Sequence, residues 1–187
     1  MPGNRTIFSI GHSNRTIEAF LELLEENEIE LVADVRTVPK SRTNPQFNKE
    51  TLAVTLKAHS IEYIHLPTLG GLRGKKKESA PSHNTAWENS SFLNYADYAE
   101  TEPFRAGLRE LSLIANEKRT AYMCAEAVWW RCHRRIITDY LLSQGWDVQH
   151  VMGHGKTDEA EINANAVVQE DGRITYPGEQ AELDFGI

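Results

Sequence analysis

Five short runs of β-branched, aromatic and aliphatic residues recur along the chain: Thr6–Ile10, Leu31–Val35, Ile61–Leu66, Thr120–Cys124 and Asp147–Met152. Stretches with helical spacing separate them. After Thr16, an N-cap type, Ile17, Phe20, Leu21 and Leu24 share one face, with Glu18, Glu22 and Glu25 outward. Lys49–Ala58 follows Asn48, and Phe92–Ala99 precedes Pro103–Glu117, whose proline suits a first helical position. Arg131–Ser143 carries Ile136, Ile137, Tyr140 and Leu141 on one face, with Gly145 beyond its end. Strands alternating with helices need crossover connections, so the expected fold is α/β: a mostly parallel sheet with helices on both faces, a Rossmann-like three-layer arrangement.

A chain of 187 residues suffices for one domain with a full core. The reading is a single α/β domain over 1–157 and an acidic C-terminal extension over 158–187. In that extension Asn165–Tyr176 has Asp171-Gly172 between two short apolar runs, a hairpin signal. The 25% charged and 40% apolar content excludes a disordered or collagen-like chain. No apolar run approaches the roughly 18 residues of a membrane helix, and the first residues lack a secretory apolar stretch. Two cysteines are too few for a disulfide scaffold, so a cytoplasmic protein without membrane association is expected. The long connection Pro67–Ser90 reads as a lid-like loop, with Lys75, Lys76 and Lys77 as solvated charges. Nothing in the sequence sets an oligomeric state.

The net charge of −7 argues against broad nucleic-acid binding. Residues 34–77 nevertheless carry nine basic and three acidic side chains, and a local basic segment can focus an anion. Polar residues gather where strands end: Gly11-His12-Ser13-Asn14, Asp34-Val35-Arg36 with Pro39, Ser41 and Arg42 beyond, His65, and Cys124-Ala125-Glu126. In parallel α/β sheets ligands bind outside the carboxyl ends of the strands. These groups should therefore meet at one edge, with Asp34 partnering Arg36 or another arginine such as Arg134.

The segment Cys124–Arg135 is the most unusual stretch. A helix start and neighbouring arginines lower a thiol's pKa, and Glu126 stands two residues from Cys124. The expected catalytic residues are Cys124, Glu126, His12 and Asp34, with Cys124 the more reactive thiol and Cys132 the more buried. Arg36, Arg42, Ser13, Arg131, Cys132, His133 and Arg134 are the expected substrate-binding set. Six residues separate Cys124 from Arg131, where a tyrosine-phosphatase-type loop needs five, so that match fails. Cys124, Cys132, His133, His150 and His154 are acceptable zinc ligands, but their spacing fits no standard ligand pair. No metal site and no cofactor is therefore expected, with zinc, a Cys124–Cys132 disulfide and buried structural cysteines as competing readings.

Ser9-Ile-Gly-His-Ser13, Asp34-Val-Arg36 with Pro39 and Ser41-Arg42, Leu69-Gly-Gly71, Cys124-Ala-Glu126, Cys132-His-Arg134 and His150 together resemble the domain of unknown function 488 family of bacteria and archaea. The resemblance covers roughly residues 6–155 and implies a compact α/β domain without an assigned reaction. The leading functional reading is a thiol- or carboxylate-dependent transferase or hydrolase acting on an anionic small molecule, phosphate-bearing or nucleotide-like. The alternative is a non-catalytic module that binds a nucleotide or a nucleic-acid end.

Overall fold

The computed structural model describes residues 5–74 and 80–179. Lys75, Lys76 and Lys77 lie outside that set. A six-stranded sheet runs in the order β3-β2-β4-β1-β5-β6, from Thr6–Gly11 (β1), Leu31–Asp34 (β2), Glu62–His65 (β3), Thr120–Cys124 (β4), Asp147–Gly153 (β5) and Lys156–Glu159 (β6). The first five strands are parallel, and β6 adds an antiparallel edge to β5. Five α-helices are present among the described residues: Ile17–Glu26 (α1), Lys49–Ala58 (α2), Ser90–Ala99 (α3), Glu102–Glu117 (α4) and Arg134–Ser143 (α5). The expected mostly parallel α/β architecture is the one observed, and no helix among the described residues is long and apolar enough to cross a membrane.

Alternation along the strands builds two cores. Phe8, Ile10, Val32, Ala121 and Met123 face α1 and α2, where Phe20, Leu24, Leu52 and Leu56 meet them. Ile7, Leu31, Ala33, Tyr122 and Val148 face the opposite layer, with Tyr95, Phe104, Leu111 and Ile137. Successive side chains on a strand point to opposite faces, so a helical layer on each side is the consequence.

Helix starts follow local chemistry. Thr16 Oγ1 accepts the Ala19 N–H, and Asn89 Oδ1 accepts from Ser91 and Phe92. The expected helix over Arg131–Ser143 begins later, at Arg134; Trp129–Arg131 forms a separate 3₁₀ turn, and Cys132 is extended. That turn folds the chain back over the sheet edge before α5 starts. β6 was not foreseen. Its residues are mostly exposed, so no apolar period marks them, and it is held by pairing with β5 across the two-residue turn His154-Gly155.

The hairpin signal is realised as Val167–Val168 (β7) paired with Ile174–Thr175 (β8), around Gly172 at φ +82°. Ala160, Ile174 and Tyr176, from the acidic extension, are buried in the same core as α3, α4 and α5. Tyr176 donates its hydroxyl to Asp139 on α5, and its backbone N–H goes to Asn84. Asn84 in turn donates to Asp97 and Glu100, so the described part of the long connection after α2–β3 is anchored against α3.

Asp139 is nearly inaccessible, and burial pushes its carboxyl up from 3.8 to about 6. A carboxyl raised in the folded state gives stability that is present below pH 4 and lost as pH rises to about 6. Urea denaturation between pH 4 and 7 should therefore show wild-type stability falling, relative to Asp139→Asn, as pH rises through that window. Parallel curves for the two proteins would contradict the assignment.

Candidate active site

The carboxyl ends of β1, β2 and β4 lie side by side, and the ladder continues past them. His12 N–H donates to Cys124 O, Ser13 N–H to Ala125 O, and Val35 N–H to Met123 O. The β1 loop is therefore registered against Cys124-Ala125. Ser13 takes a left-handed φ of +51°, uncommon for a residue with a side chain and frequent where a site imposes the turn.

Two adjoining cavities open at this edge. The first, of about 450 Å³, is lined by Cys124, Cys132, His133, Glu126, Arg131 and Arg36, with Leu72, Phe92 and Tyr95 supplying apolar wall. The second, of about 470 Å³, is lined by His12, Ser13, Lys40, Ser41 and Asn44. Arg36, Val38, Ala125 and Glu126 belong to both and form the ridge between them.

Beneath the ridge lies an ion pair. Arg36 Nε–H donates to Asp34 Oδ1 at 2.8 Å and Nη2–H to Oδ2 at 2.6 Å, and Nη2 also reaches Phe47 O. Tyr63 donates to Asp34 Oδ2 at 2.6 Å, so Asp34 is saturated and lines neither cavity. Arg36 Nη1 lies 3.2 Å from His12 Nε2. A guanidinium only donates, so Nε2 accepts, and the proton of His12 sits on Nδ1, 2.7 Å from Ser13 O. Burial, with Arg36 nearby, lowers the His12 pKa to about 4, so the ring is neutral at pH 7. It stacks on Phe47 with centroids 4.2 Å apart.

The thiol end is organised by His133. Its Nε2 is 2.9 Å from Val35 O, which can only accept, so the proton sits there. The Nδ1 lone pair then faces Cys132 Sγ at 3.5 Å and Cys124 Sγ at 3.8 Å. Gly71 is pressed against this ring: a Cβ there would stand 2.5 Å from Nδ1. Arg134 is almost fully buried and lines neither cavity. It donates to Ser9 Oγ, to Glu126 O and, from Nε, to Cys132 Sγ.

The thiolate-stabilising donors expected at Cys124 thus gather on Cys132. Burial opposes charge there, while donation from the Cys124 thiol and the nearby charge of Arg134 favour it, and Cys132 is held low. Donation to Cys132, with burial, pushes Cys124 up. Cys132 is the slightly more buried of the two, 3% exposed against 7%.

Of the sequence-derived residues, Cys124, Glu126, Arg36, Arg131, Cys132 and His133 meet at the first cavity, and His12 and Ser13 at the second. Asp34 and Arg134 lie underneath, and Arg42 is exposed and lines neither cavity. Sequence reasoning missed Lys40, although it stands between the noted Pro39 and Ser41, and missed Tyr63 and Phe47, whose roles depend on contacts across the sheet.

Fold and site define a three-layer α/β protein with a two-lobed cavity at the carboxyl edge of its sheet. The family model described as "Domain of unknown function DUF488" matches residues 16–141, and the chain belongs to that family. No curated protein and no solved structure matches it.

Asp34→Ala would leave Arg36 buried without its counter-charge and Tyr63 without its acceptor. Chemical denaturation should register a loss of roughly 3–5 kcal/mol. A loss under about 0.5 kcal/mol, the scale of an ordinary surface change, would contradict the pairing.

Proposed function

We propose that the protein is an enzyme acting on an anionic small molecule, phosphate-bearing or nucleotide-like, bound across the two lobes. The observation that carries this is the ridge: Glu126 and Arg36 are shared by both cavities. Arg131 lies on one side and Lys40 on the other. Both of these are exposed and free to meet a ligand, whereas Arg36 and Arg134 spend most of their donors on protein atoms.

In this reading Lys40, Ser41 and Ser13 hold the anion, and the apolar wall of Leu72, Phe92 and Tyr95 takes the less polar body of the substrate. Glu126, open to both lobes, accepts or delivers the proton. Asp34 and Arg134 are positioning residues: the first holds Arg36, the second holds the Glu126 backbone and Cys132. A cytoplasmic setting fits a pair of free, buried thiols.

A thermal-shift screen of nucleotides, sugar phosphates and inorganic phosphates tests the binding half. A ligand at 100 times its dissociation constant adds about 2.7 kcal/mol, a shift of several degrees for a chain of this size. Lys40→Ala and Arg131→Ala should each reduce that shift, and a flat screen would overturn the reading. Glu126→Gln tests the catalytic half. It should keep the shift and lose turnover of the same ligand; a wild-type protein that binds the ligand and never transforms it is a binding module instead.

A further inference from the structure

We propose that Cys124 Sγ, Cys132 Sγ and His133 Nδ1 form a three-ligand site for a thiophilic divalent cation of the zinc class, with its fourth position open to the first cavity. The proposal stands on the geometry of the cluster and does not need the substrate reading above.

The three donor atoms lie within 4.8 Å of one another. Zinc bonds of about 2.3 Å to sulfur and 2.0–2.1 Å to nitrogen, at a tetrahedral angle, set sulfur and nitrogen roughly 3.6 Å apart. The two sulfur–nitrogen separations here are 3.5 and 3.8 Å. Both sulfurs therefore sit at ligand spacing from one imidazole lone pair.

That lone pair is aimed by the Nε2–H bond to Val35 O, the outer-shell contact that fixes tautomer and ring orientation in metal-binding histidines. Gly71 on one side and the edge of Tyr95, with ring centroids 5.1 Å apart, restrain the ring further. Cys132 Sγ accepts from the backbone N–H and the Nε–H of Arg134, each at 3.5 Å. Among the described residues Arg134 is buried and has no carboxylate partner, so this sulfur is one of the three acceptors that its guanidinium reaches.

The candidate group has three members among the described residues. His150, which the sequence placed among acceptable ligands, stacks on Trp129, and His154 meets Glu22 and Glu26. Three protein ligands with a cavity on the remaining side is the pattern of catalytic rather than structural zinc sites. Cys124, Cys132 and His133 all line the cavity that Glu126 shares.

The test uses the full chain, purified without a polyhistidine tag. Mass-spectrometric metal analysis should find about one zinc per chain. After chelation, cobalt(II) titration should give one equivalent with a sulfur-to-cobalt charge-transfer band and the strong d–d absorption of a four-coordinate ion, both lost on adding zinc. His133→Ala and Cys132→Ser should weaken cobalt binding at least tenfold. Since those variants can fail to fold, the wild-type thiols give a second readout: one equivalent of zinc should slow their reaction with a disulfide reagent, and a chelator should restore it. A folded protein without zinc as purified, without the charge-transfer band and with thiol reactivity indifferent to zinc overturns the proposal. Glu126→Gln should keep the cobalt spectrum, so loss of turnover there speaks to the substrate reading alone. A metal-free protein that still binds a phosphate ligand sinks only the metal site.

Discussion

A parallel sheet ends in carbonyl groups that its own ladder no longer pairs, and here side chains take them up. Val35 O receives His133 Nε2–H, and Arg36 O receives His65. Just past the ends of β1 and β4, Ser13 O receives His12 and Glu126 O receives Arg134. Each such bond contributes about 1 kcal/mol net, and leaving a buried carbonyl unmet costs about as much or more. Satisfying the backbone and orienting the site are thus one event. The carbonyls choose which imidazole nitrogen carries the proton, and so which nitrogen faces Arg36 in His12 and which faces the thiols in His133.

Charge adds the second layer of constraint. Two arginines lie buried within the same edge. Arg36 is neutralised by Asp34 in a fork-to-fork pair, leaving its Nη1 for His12 and the ridge. Arg134 reaches sulfur, a hydroxyl and a carbonyl instead, which makes its surroundings receptive to negative charge on Cys132. With both buried guanidiniums engaged inside the edge, the exposed charged side chains at the cavity walls are Arg131, Lys40 and Glu126.

The strand and helix order was legible because each buried strand reads as a continuous apolar run and each helix shows an apolar stripe, as in Ile7–Ile10 against Phe20–Leu24. The edge strand Lys156–Glu159 was not, since backbone pairing with β5 holds it and its side chains are mostly exposed. Within the candidate site, His12, Arg36, Cys124 and Glu126 announced themselves by standing at carboxyl ends of strands. Other features depend on register or on a local fold-back. Tyr63 finds Asp34 across the β2–β3 pair. The seven residues between Cys124 and Cys132 match no ligand spacing, yet the 3₁₀ turn Trp129–Arg131 lies between the two thiols, which stand side by side. The burial of Arg134 was equally hidden, because an arginine opening a helix ordinarily reads as an anion-binding group at the surface.

The claim on which this account rests is that strand-end carbonyls set the two imidazoles in opposite tautomers. Long-range proton–nitrogen correlation spectra of the histidine rings at pH 7, in the metal-free protein, test it directly. The account predicts a neutral His12 protonated on Nδ1 and, for the neutral His133 ring, the proton on Nε2. A neutral His133 ring protonated on Nδ1 would mean that Nε2 does not donate to Val35 O and that its lone pair does not face the two thiols, and would contradict the account.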